Sequence, residues 1–90
     1  MEKLFIVTDD GKKYAAKWAG ISSIDGSLQF AILNIEFQEA CKAFSDKENT
    51  SKLIYEFDGK AAAEYEGYTA LTGINKNPDG SITVTLRKEN

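Results

Sequence analysis

The dipeptide Asp-Gly occurs four times in this 90-residue chain: Asp10-Gly11, Asp25-Gly26, Asp58-Gly59 and Asp79-Gly80. Between alternating apolar runs this pair is a strong signal for a tight hairpin, because a type I′ turn needs positive φ at both central residues. Four such corners restrict the chain to short antiparallel strands. The next residue alternates, Lys12, Ser27, Lys60, Ser81, so the order is DGK, DGS, DGK, DGS. The flanks repeat as well. Lys3-Leu4-Phe5 matches Lys52-Leu53-Ile54, and Gly20-Ile21 matches Gly73-Ile74. Leu28, Phe30 and Ile32 match Ile82, Val84 and Leu86, both at period two. Each half therefore reads as a three-stranded antiparallel meander, near residues 3–9, 12–22 and 27–33, then 52–57, 60–75 and 81–88.

Between the halves, Phe37, Ala40, Cys41 and Phe44 fall at helical spacing and form one apolar stripe. The spacing predicts a helix over 35–45, with Asn34 as its N-cap, ending in the polar run Ser45 to Ser51. Glu36 and Glu39 suit the positive end of its dipole, and Lys42 and Lys47 the other. The expected fold is α+β, in the order βββ-α-βββ. It is a single domain of residues 1–90, with a meander at 3–33, a helix at 35–45 and a meander at 52–88. The two sheets close as a small sandwich or partly open barrel covered by the helix. The second meander has no helix of its own, which leaves apolar surface for another chain.

Several function classes lose support from composition. There is no histidine, so the commonest general base and transition-metal ligand are missing. One cysteine, Cys41, cannot form an internal disulfide, and its place on the stripe suits a small core side chain. Net charge is −3, which gives no electrostatic reason to expect nucleic-acid binding. No apolar run nears the ~20 residues of a membrane span. The opening stretch Leu4 to Thr8 halts at Asp9-Asp10 and reads as a strand rather than an export signal. The expected location is therefore the cytoplasm, or a particle assembled there. On the same basis, the Asn49-Thr50-Ser51 sequon is read as chance.

Glu56, Glu64 and Glu66 lie on neighbouring expected strands without a nucleophile beside them, and solvated strand faces account for them. Turn geometry accounts for the four aspartates without a metal. Lys12, Lys13 and Lys17 read as a solvated basic face. No catalytic, metal or cofactor-binding residue is expected. Four aromatics are candidate partner contacts: Tyr14, Trp18, Tyr65 and Tyr68. A regular strand puts Tyr14, Ala16 and Trp18 on one face, as core or as a binding surface. Tyr65 and Tyr68 are three apart, which sends them to opposite faces unless Gly67 marks a bulge that resets the alternation.

The runs FQEACKAFSDKENTSKLIYEF, YEGYTAL and GSITVTLRK, following a first strand that ends in a DG turn, resemble short proteins encoded in the tail-assembly modules of phages and prophages of Gram-positive bacteria. The resemblance is carried by Phe37 to Phe44, Asp46 to Ser51, Tyr65 to Leu71 and Gly80 to Lys88. It implies a non-enzymatic structural or assembly component working through protein–protein contacts, with another protein or with copies of itself. It supplies no active-site residues. The alternative expectation is a small phage- or plasmid-encoded module that binds and modulates a host protein.

Overall fold

The apolar alternation of the two DGS-led segments builds the centre of the sheet. In a computed structural model, which describes residues 3–89, Leu28, Phe30 and Ile32 of one strand lie opposite Leu86, Val84 and Ile82 of another, and all six are completely buried. The element order is β1 (Leu4–Val7), β2 (Lys13–Ile21), β3 (Leu28–Ile32), α1 (Phe37–Ser45), β4 (Lys52–Phe57), β5 (Lys60–Glu66), β6 (Ala70–Lys76) and β7 (Ile82–Arg87). The strands form one seven-stranded antiparallel sheet in the order β5-β4-β1-β2-β3-β7-β6, not closed into a barrel; the two separate sheets expected from the halves are joined into one because β1 pairs with β4 and β3 with β7.

In the first half, β2 pairs with β1 through its first residues and with β3 through the rest. The second differs from expectation. The span 60–75 is two strands, β5 on β4 and β6 on β7, and these two occupy opposite ends of the sheet order. The reason is local: Gly67 has φ +82°, outside the extended region, and breaks the strand there. The repeat also sets the assembly of the sheet. The matching strands β1 and β4 pair with one another, and so do the matching strands β3 and β7.

Three of the four Asp-Gly corners differ from the expected turn. Only Asp58-Gly59 has positive φ at both positions, +50° and +81°. At Gly11, Gly26 and Gly80 the glycine alone is positive, and longer loops are closed by bonds such as Ser22 N–H to the Ser27 carbonyl and Asn77 N–H to the Ser81 carbonyl. The two DGS corners are alike in detail. Asp25 Oδ1 accepts from the Ser27 amide and hydroxyl, at 3.0 and 2.7 Å, and Asp79 Oδ1 accepts from Ser81 at 2.9 and 2.6 Å. Each carboxylate also binds a cation on a distant strand, Arg87 for Asp25 and Lys17 for Asp79, both at 2.9 Å. These bonds hold both carboxyls well below the ordinary aspartate range, the serine hydroxyl contributing most.

The helix is shorter than its sequence suggests. It runs Phe37–Ser45 with Glu36 at the N-cap, and Asn34 instead takes a left-handed turn at φ +58°. Its inward face is Ala40 and Phe44, both fully buried, whereas Phe37 is 39% exposed and Cys41 only half-buried. Phe44 is the link between helix and sheet. Its ring lies 5.4 Å from Tyr14 of β2 and 5.0 Å from Phe30 of β3. Burying a phenyl group there contributes about 1.5–3 kcal/mol by area. The interior continues through Ile6 of β1 and Leu53 of β4, so both halves share it.

Candidate functional site

Three strands contain an extra residue, and these bulges decide where the candidate aromatics point. In β2, Ala16 pairs with Ile32 and Trp18 with Ala31, leaving Lys17 unopposed. In β5 the extra residue is Ala62, and in β6 it is Thr72. A bulge shifts the alternation by one and turns the following side chains to the other face.

The β2 bulge separates Tyr14 from Trp18, which the period-two pattern had placed together. Tyr14 is buried among Phe44 and the core, and desolvation, aided by the charges of Asp10 and Glu39, raises its phenol pKa. Trp18 is turned to the outer face and is 40% exposed. Across the strands it is level with Ala31, Thr83 and Asn75; the next row is Gly20, Gln29, Thr85 and Gly73. Ala31 is only 1% exposed yet belongs to no part of the main core, and its larger cross-strand neighbours Trp18 and Thr83 account for its cover. The result is a face of small residues, Ala31, Gly20, Gly73 and two threonines, interrupted by Gln29 and Asn75, with one large aromatic ring at its side. Lys17, pointing away beside it, ties the β6–β7 corner through Asp79.

Tyr65 and Tyr68 are brought together instead. Gly67 turns the chain so that their rings meet edge to face, 6.1 Å apart at 87°. Tyr68 is buried, and the Lys88 ammonium sits 5.2 Å from its ring centre. Tyr65 is half-buried and its phenol pKa is raised, chiefly by desolvation and then by Tyr55 and Tyr68. An open groove of about 490 Å³ runs past them, lined by Ile21, Glu64, Tyr65, Glu66, Tyr68 and Lys88. It lies where the end of β5 and the break after it approach the ends of β2 and β7. The sequence signal was the three-residue spacing across a glycine.

Of the expected carboxylates, Glu64 and Glu66 line that groove, while Glu56 lies apart from it. Glu56 is held by Lys13 at 2.9 Å, so the basic cluster is partly neutralised by ion pairs. A second open cleft, of about 460 Å³, lies between α1 and the β1–β2 corner and mixes Asp9, Asp10, Glu39, Asp46 and Glu48 with Lys12 and Lys42. Asn49 stitches it together: its side-chain amide donates to the Ala43 carbonyl, while its Oδ1 accepts from the Asp10 amide. Among the described residues, no group of three or more acidic or cysteine side chains is placed to hold a metal ion. Nor is any helix among them long and apolar enough to cross a membrane. No family model, no curated protein and no solved structure matches this chain.

Proposed function

We propose that this protein is a non-enzymatic structural or assembly component of a phage-type tail, acting through protein–protein contacts centred on the outer face around Trp18. The observation that carries the contact surface is the outward turn of that tryptophan. Without the extra residue Lys17 the indole would continue the inward phase of Tyr14 and Ala16; with it, the indole lies on the outer face, level with Ala31, Thr83 and Asn75 and beside the row of Gly20, Gln29, Thr85 and Gly73. Tryptophan in such a setting is a common anchor of binding energy. The tail assignment rests on the resemblance of residues 37–44, 46–51, 65–71 and 80–88 to tail-module proteins.

The test is incorporation. The tagged chain should sediment with assembled particles from a producing host, and Trp18→Ala should lower its occupancy at least ten-fold while leaving the melting temperature nearly unchanged, as expected for loss of about 1.4 kcal/mol or more of binding. Absence from particles, together with one stoichiometric host protein retained in a Trp18-dependent way, would replace this reading by that of a host-directed binding module.

A further inference from the structure

We infer that the β6–β7 hairpin can be exchanged between two copies of this chain, with residues 67–69 as the hinge. The hairpin follows β5 through only Gly67, Tyr68 and Thr69, yet it does not pair with β5. Its ladder is formed with β3, from Leu28↔Leu86 to Ile32↔Ile82. Its ion pairs also reach back across the chain, Lys17 to Asp79 and Asp25 to Arg87. Every one of these contacts can form equally well with β2 and β3 of a second molecule, because exchange replaces each intramolecular contact by the same intermolecular one. Only the hinge must differ.

The hinge is built to have two states. In the bent form it depends on Gly67 at φ +82°, with open space around the position a Cβ would take. The bend is held by the Gly67 N–H bond to the Ser51 carbonyl and by the Tyr65–Tyr68 ring contact. In the straight form, residues 67–69 are extended and join β5 to β6 without the turn, which the conformational freedom of Gly67 allows. The bent monomer prevails when dilute, and the exchanged pair accumulates with concentration.

Purified protein in a Cys41→Ser background, refolded at low and high concentration, tests this by light scattering and cross-linking. Gln29→Cys with Thr85→Cys places one cysteine on each side of the β3–β7 ladder, directly opposite in register. The dimer fraction, oxidised and then denatured without reductant, is expected to run as a covalent dimer, while the monomer fraction closes its disulfide within one chain. Gly67→Val, which a positive φ disfavours, is expected to raise the dimer fraction several-fold at equal concentration. A dimer whose disulfides are all within one chain overturns the inference, and so does the absence of dimer at high concentration. Should Gly67→Val not fold, the paired-cysteine result with Gly67 intact decides alone. Because the assay uses only this chain, it is unaffected by whether Trp18 contacts a tail component.

Discussion

β2 in the first half and the β5–β6 run in the second begin from the same DGK phrase and reach the same Gly-Ile pair, but they fold differently. From Lys12 to Gly20 the first half is compact; from Lys60 to Gly73 the second has five additional residues. β2 changes partner from β1 to β3 while remaining one strand, absorbing its bend in the single extra residue Lys17. The longer run cannot follow the same path. It places one extra residue in β5, one in β6 and three in the break at 67–69. A repeat can thus keep its corners and its core face while its middle strand is free to bend or to break. What decides is how much chain must fit between two fixed corners.

The sharpest way to break the comparison is to remove what the two halves share. Phe44→Ala empties the space between Tyr14 and Phe30, and a cost of about 3–5 kcal/mol is expected. Chemical denaturation followed by Trp18 fluorescence and by far-ultraviolet dichroism should still give coincident curves, since one interior serves both halves. Separate transitions would mean that each half holds itself together. A smaller effect belongs to the break. Gly67→Ala is expected to cost about 1–2 kcal/mol, the ordinary cost of a left-handed backbone for a residue with a Cβ. A change below half of that would show that the bend is set by the tyrosine pair rather than by glycine.

The two DGS corners should behave as equals under acid. Asp25 and Asp79 have carboxyl pKa values below the ordinary 3.8, so their bonds favour the fold above that pH and are lost as pH falls through the lower folded value. The stability difference between wild type and Asp79→Asn should accordingly shrink on acidification below pH 3.8, and Asp25→Asn should trace the same curve. Carboxyl carbon NMR shifts that titrate at ordinary aspartate values for one corner and below them for the other would refute the equivalence. The smallest expected effect is at the repeated Gly-Ile pair. A Cβ on Gly20 meets open space, and one on Gly73 meets Thr85 Cβ at 3.8 Å, an ordinary contact. Gly20→Ala and Gly73→Ala should each change stability by no more than about 0.5 kcal/mol in thermal melts, with Gly73 the more sensitive.

The sequence made the corners, the strand-face core and the helix readable because each is a local matter. Asp-Gly marks a reversal wherever it stands between alternating runs, and Leu28, Phe30, Ile32 and their partners declare a buried face by period alone. The bulges are not local. Lys17, Ala62 and Thr72 are ordinary strand residues, and only the partner strands define them as unopposed. Trp18 consequently read as sharing a face with Tyr14. At Tyr65 and Tyr68 the odd spacing across glycine marked an irregularity, but the expected bulge is a full break: Gly67 lies between β5 and β6, which pair with different strands. The helix start was misplaced for a related reason. Asn34 has the composition of a cap, but the chain needs a left-handed corner there to leave β3.

The irregular residues in β5 and β6 have a consequence for how the protein behaves in a crowded solution. These are the two outermost strands, and both are interrupted part way along, at Ala62 and Thr72. A foreign extended segment laid against either rim loses its hydrogen-bond spacing at that point, so neither rim is a good template for fibril growth. Crowding the molecule therefore does not, by this route, seed growth along either rim.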